Sequence, residues 1–119
     1  MSCERIVVVD DHAELAGTLS EMLTLDGFDV RTAADGVSAL AVIAEHKPIC
    51  VLIDVDMPVM NGFELARRLR DLHASDIVLI AITGWGQPGD RVTQQFDNFD
   101  HCLRKPIDLD LLRKLLRPG

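Results

Sequence analysis

The chain has 119 residues, 48% hydrophobic and 26% charged, with a formal net charge of −7. That length suits one domain that buries its own core without staples. The acidic balance argues against a nucleic-acid binder, since such affinity comes from Lys and Arg neutralising phosphates, and no apolar run reaches the length of a membrane span.

Taken in chain order, the first run is "RIVVVD", from Arg5 to Asp10. It is β-branched and continuous, which predicts a strand buried on both faces. From Ala13 to Leu25, apolar residues at Leu15, Ala16, Leu19, Met22 and Leu23 mark one face of a helix. Gly27 is placed to end it. "FDVRTA" is shorter and more polar, as an edge strand should be. Asp35-Gly36 reads as a turn, Val37 to Glu45 as a second helix, and Pro48 as its stop. "ICVLID" is a second fully buried strand, ending at Asp54.

A third helix is expected from about Gly62 to Leu72, with Phe63, Leu65, Ala66 and Leu69 inward. Ile77 to Thr83 is the most strand-like segment of the chain. A helix is expected after Pro88, but its apolar face is only Val92 and Phe96. "HCLRKP" gives a short last strand, and Leu109, Leu112, Leu115 and Leu116 mark the last helix. Buried strands alternating with amphipathic helices imply an α/β fold with helices on both faces of a parallel sheet. The expected architecture is a flavodoxin-like, doubly wound sheet of order 2-1-3-4-5, with the polar second strand at an edge.

In such a sheet the functional rim lies at the carboxyl ends of the strands, above all at the switch point between the first and third. Asp10-Asp11, Asp54, Thr83 and Lys105 all fall at strand ends. Three carboxylates in one crevice raise each other's pKa unless a cation compensates. Oxygen ligands without Cys or His suit a hard ion, most simply Mg²⁺, with Mn²⁺ as a substitute. A cation beside a carboxylate also favours phosphoryl transfer, with a Thr hydroxyl and a Lys ammonium to hold the remaining phosphoryl oxygens.

The chain resembles the response-regulator receiver domains of two-component signalling over essentially its full length. The matching pieces are "VVDD" (Asp10, Asp11), "DVDMPVMNG" (Asp54), "ITGWG" (Thr83) and "RKP" (Lys105, Pro106). The resemblance implies that Asp54 accepts a phosphoryl group from a phosphohistidine. It implies Mg²⁺ held by Asp10, Asp11, Asp54 and the backbone carbonyl of Asp56, phosphoryl contacts from Thr83 and Lys105, and a cis Lys105-Pro106 bond. The implied partners are a sensor histidine kinase or a histidine phosphotransfer protein, then a downstream protein or an attached output domain. Phosphorylation would shift the face built by the fourth strand, the helix after Pro88 and the fifth strand. The domain is expected to span residues 1–119 with no effector domain, to be cytoplasmic, and to be a monomer or a phosphorylation-dependent dimer. It assists only its own phosphorylation and dephosphorylation.

Several positions depart from that pattern. An aromatic residue or His usually stands three positions before the Lys, and here it is Cys102. Cys102 reads either as a small core residue filling the missing aromatic's space or, with Trp85, as part of a partner surface. Asp56 places a second acid two residues after the phosphoacceptor. Asn98 replaces a common Gly and could take a left-handed conformation.

Blander readings apply residue by residue. Asp11 is suited to cap the first helix; Thr83 to be an ordinary strand-end Thr; Lys105 to be an edge charge; Gly62 to serve a turn. His12, His46, His73 and His101 are scattered and read as surface or packing residues. Cys3, Cys50 and Cys102, odd in number and irregularly spaced, read as reduced thiols. Among other functions, "DVD" also resembles the nucleophile motif of haloacid-dehalogenase-like phosphatases, but Pro58 stands where Thr or Val is expected. A flavodoxin-type electron carrier needs a phosphate-cradling loop after the first strand, where "DDHAE" would repel an anion. A receiver-shaped module without phosphorylation would leave the set of Asp, Thr and Lys without a role.

Overall fold

The computed structural model describes residues 4–55, 62–73, 76–83, 98–105 and 107–116. Asp56, Trp85, Pro106 and the helix expected after Pro88 lie outside them. The strands are β1 (Arg5–Val9), β2 (Asp29–Ala33), β3 (Cys50–Asp54), β4 (Val78–Thr83) and β5 (His101–Arg104). The helices are α1 (Ala13–Leu25), α2 (Gly36–His46), α3 (Gly62–His73) and α4 (Leu109–Leu116).

All strand pairs are parallel, and the sheet order is β2-β1-β3-β4-β5. Alternate residues feed two cores, as a pleated strand requires. Val7, Val9, Val51, Ile53 and Leu79 face Ala39 and Ile43 of α2 and Leu65, Ala66 and Leu69 of α3. Ile6, Val8, Leu52, Ile80, Ile82 and Leu103 face Ala16, Leu19 and Leu23 of α1 and Leu112 and Leu116 of α4. Burial on both faces is why β1 and β3 carry unbroken apolar runs. Strand β2 pairs only with β1 and is largely exposed, so it tolerates Asp29, Arg31 and Thr32.

Helix ends follow local chemistry. Past α1, Gly27 has φ 100° and Phe28 N donates to Leu23 O at 3.1 Å. Gly27 N also donates to Thr24 O at 3.0 Å, completing a Schellman closure in which Phe28 is buried. Asp35 does more than turn the chain: its carboxylate accepts from Ser38 N at 2.7 Å and caps α2, which starts at Gly36. At the other end of α2, Lys47 takes the left-handed conformation just before Pro48.

Some expectations fail for tertiary reasons. Leu15 is 53% exposed, since it stands at the rim of a cleft instead of under the sheet. Phe63 is half-buried and packs edge-on against Phe99, with ring centroids 6.3 Å apart. Cys102 is exposed: in β5 only Leu103 points into the core, so Cys102 fills no core space. The reading as a core residue is thus corrected: Cys102 stands at the surface of β5. Asn98 is not left-handed; Lys47 is the positive-φ residue other than glycine among the described residues. Instead, the Asn98 carbonyl accepts from Arg70 Nε at 2.8 Å.

That Arg70 closes the amino-terminal side of the sheet. It also donates to Ile77 O at 2.9 Å and to Asp100 Oδ2 at 2.6 Å, while Leu79 N donates to the same carboxylate at 2.8 Å. Burial opposes the charged form of Asp100, but the Leu79 N–H, Arg70 and His101 outweigh it and hold the carboxyl below its ordinary value of 3.8. A carboxyl depressed in the fold contributes stability that is fully present above pH 3.8 and fades as pH falls through its folded value. Asp100→Asn is therefore expected to be less stable than the parent at neutral pH. Urea melts should show that gap closing below pH 3.8; a gap that stays constant with pH would contradict the assignment.

Candidate phosphoacceptor and metal site

The site is assembled by strand ends. Strand β1 stops at Val9, and Asp10 N donates to Ala33 O at 3.0 Å, which fixes Asp10 between β2 and β3. Asp54 is the last residue of β3 and pairs in register with Ile82 of β4. Thr83 ends β4 and is 2% exposed. Lys105 N donates to Thr83 O at 2.8 Å, so the β4–β5 pairing runs one step further and delivers the lysine to the rim.

There Lys105 Nζ donates to Asp54 Oδ2 at 3.1 Å. Asp54 is 1% exposed and Asp10 is 8% exposed. Burying carboxylates is costly unless charge is compensated. Burial pushes the Asp10 carboxyl above its usual range; the His12 N–H pulls it down, and the nearby Asp54 charge pushes it up again. The described cation at this rim is one ammonium against three carboxylates, so the cluster carries excess negative charge.

One ligand atom each from Asp10, Asp11, His12 and Asp54 can be chosen so that all lie within 4.8 Å of one another. That span is slightly wider than the roughly 4.2 Å across a Mg²⁺ inner shell, so small side-chain movements would gather these atoms around one divalent ion. The donor set, mainly carboxylate and without thiolate, fits Mg²⁺. Asp11 is not the cap of α1: His12 holds the N-cap position, and no side chain caps that helix. Free of a capping role, Asp11 turns toward the cluster.

Sequence reasoning placed the histidines on the surface or in packing roles and missed His12. Its backbone N donates to Asp10 Oδ1 at 2.9 Å, and its ring Nδ1 lies 3.3 Å from Asp10 Oδ1 and 3.2 Å from Asp11 Oδ1. The available signal was local: an Asp two residues before a helix start often folds back onto the backbone N–H. Beside the cluster, a cleft of about 260 Å³ opens between α1 and the start of α4. Leu15, Leu19, Met22 and Leu109 line it, and Asp10 and Lys105 stand at one end.

Gly62 is the first residue of α3, where that helix was expected to begin, and it is also a point of close packing. A Cβ there would lie 2.6 Å from Val55 Cα, 2.8 Å from Ile53 Cγ2 and 2.9 Å from Val55 Cγ1. Only a residue without Cβ lets α3 sit this close to the end of β3. Gly62→Ala is expected to destabilise the fold by about 1–3 kcal/mol. Chemical denaturation checks this, and an unchanged midpoint would show that α3 can retreat freely.

A doubly wound sheet with an acid pair, a buried Asp and a Lys meeting at its switch point defines a phosphoacceptor domain of the flavodoxin-like class. Comparison with known proteins agrees. The family model for the response regulator receiver domain matches residues 6–117, and the chain belongs to that family. Its members receive phosphoryl groups in two-component signalling and are not turnover enzymes.

The chain is 38% identical over 112 residues to the transcriptional regulatory protein CpxR homolog of Haemophilus influenzae, covering 93% of this chain and 48% of that protein. It is 35% identical over 111 residues to the sensor histidine kinase RcsC of Salmonella typhimurium, covering 93% of this chain and 12% of that protein. The chain thus spans about half the length, or less, of these curated relatives. Among solved structures, the chemotaxis protein CheY4 of Vibrio cholerae superposes with a TM-score of 0.87 at 29% identity, covering 97% of both chains. The response regulator TrrA of Thermotoga maritima, solved in complex with Mg²⁺-BeF, gives 0.84 at 27% identity, covering 95% of this chain and 96% of that one. No helix among the described residues is long and apolar enough to cross a membrane.

Proposed function

We propose that Asp54 is the phosphoacceptor, taking a phosphoryl group from a phosphohistidine of a sensor histidine kinase or a histidine phosphotransfer protein. A carboxylate oxygen of Asp54 attacks phosphorus in line, the P–N bond breaks as the new P–O bond forms, and the imidazole leaves and takes up a proton. The observation that carries this reading is the more deeply buried of two buried carboxylates, Asp54, held by an ammonium at 3.1 Å beside Asp10 and Asp11.

Asp10, Asp11 and Asp54 are the side chains suited to hold Mg²⁺, with the Asp56 carbonyl completing the protein ligands. When bound, that ion neutralises charge on the incoming phosphoryl oxygens. The Lys105 ammonium serves twice. It pairs with Asp54 Oδ2 before transfer and can pass to a phosphoryl oxygen as that group arrives. Thr83, buried at the end of β4, would offer its hydroxyl to the same group in this reading. Its engagement would bias the adjoining face of β4 and β5 between two arrangements, the form a signalling output takes.

Residues 1–119 form one receiver unit in this reading. It acts alone or as part of a longer protein, as the partial coverage of the regulator and kinase relatives supports. Incubation with acetyl phosphate and Mg²⁺ should add the mass of one phosphoryl group, and chelation should prevent it. Equal incorporation with a chelator present would count against the metal-assisted step.

A further inference from the structure

We propose that His12 is an additional protein ligand of this metal site, a nitrogen donor that makes the site prefer borderline transition ions such as Zn²⁺ and Co²⁺ over Mg²⁺. The inference rests on the reading of the acidic cluster as a metal site.

Its basis is the spacing around His12. The ring Nδ1 is 3.3 Å from Asp10 Oδ1 and 3.2 Å from Asp11 Oδ1. A charge-assisted hydrogen bond would draw the ring to about 2.7–2.9 Å of one oxygen. Two donors that share one ion at about 2.0–2.2 Å, with octahedral or tetrahedral angles, stand about 2.9–3.5 Å apart. The observed separations fall in that range for both carboxylates at once.

The backbone supports this placement. His12 N donates to Asp10 Oδ1 at 2.9 Å, and the next residue begins α1, so the backbone that carries the ring is held at the rim. The ring is also 63% exposed and can move the last fraction of an ångström without disturbing the core. Asp54 belongs to the same cluster, and its Oδ2 is engaged by Lys105 at 3.1 Å.

The chemistry then separates the ions. Mg²⁺ prefers oxygen and retained waters, and gains little from an imidazole. Zn²⁺ and Co²⁺ gain a strong bond from it. A site with His12 engaged therefore binds these ions through four side chains, and binds Mg²⁺ through carboxylates alone.

The test uses the whole chain with Zn²⁺ and Mg²⁺ as probes. Proton–nitrogen correlation spectra of the histidine rings should show the His12 Nδ1 resonance shifting with Zn²⁺ but not with Mg²⁺. In His12→Gln, Zn²⁺ affinity at the site should fall on the order of tenfold or more, while Mg²⁺ affinity changes by less than about threefold. Asp10→Asn should weaken both ions, which ties the Zn²⁺ signal to this cluster. If Mg²⁺ binds and Asp54 is phosphorylated, but Zn²⁺ leaves the His12 ring unmoved, the ligand role of His12 is overturned and the phosphoacceptor reading stands. If neither ion binds and no phosphoryl group is taken up, the phosphoacceptor reading falls and the inference with it.

Discussion

Asp54→Asn should remain folded and take up no phosphoryl group from acetyl phosphate. The amide has nearly the carboxylate's shape, so the end of β3 keeps its packing. The substitution also removes one negative charge from a cluster that the fold holds together against repulsion. It removes the nucleophile, however, because a neutral amide oxygen does not form the acyl phosphate. Mg²⁺ affinity should fall as well, since one of the three carboxylates is lost. Intact mass after incubation reads the first effect, and calorimetric titration with Mg²⁺ reads the second. Full stoichiometric incorporation in this variant would move the acceptor to another residue.

Lys105→Ala should have two effects of opposite sign. Its ammonium is the described cation closest to a carboxylate that is 1% exposed. Without it, Asp54 loses its described ammonium partner while Asp10 and Asp11 remain close, and the protein without metal should lose about 1–3 kcal/mol of stability. The upper limits known for broken buried pairs do not apply, because Lys105 is itself 29% exposed. The more negative cluster should then bind Mg²⁺ more tightly, and added Mg²⁺ should restore more stability to the variant than to the parent. Phosphorylation should nevertheless slow on the order of 10²-fold, the usual consequence of removing one donor from a developing charge. Thermal melts with and without Mg²⁺, alongside the rate with acetyl phosphate, separate the two. A variant that loses Mg²⁺ affinity and phosphorylation together would show that Lys105 shapes the site and does not simply neutralise it.

How legible this was in the sequence depended on the range of the interactions involved. Strands β1 and β3 were readable because burial on both faces leaves unbroken β-branched runs. Helix α1 was readable to its bounds because its apolar spacing and Gly27 are local signals. The sheet order followed from one polar strand that had to lie at an edge, and with it came the convergence of Asp10, Asp11, Asp54 and Lys105. What the sequence hid was set by distant partners or by side-chain direction. The close approach of Gly62 to Val55 and Ile53 is not visible in the sequence, where the residue shows only as a glycine at a helix start. Arg70 gives no hint of its grip on Asp100, 30 positions away. Cys102 sits on a short edge strand where the alternation is too brief to tell inside from outside. His12 was missed because a carboxylate folding back two residues onto the backbone is easily taken for a plain loop.

The central claim is the identity of the phosphorylated side chain. Borohydride reduction of the protein treated with acetyl phosphate and Mg²⁺ converts an aspartyl phosphate to homoserine, and peptide mapping then locates it. The expected product carries homoserine at position 54 alone. Homoserine at Asp10, Asp11 or Asp56, or none anywhere in a protein that has gained phosphate, would contradict the assignment.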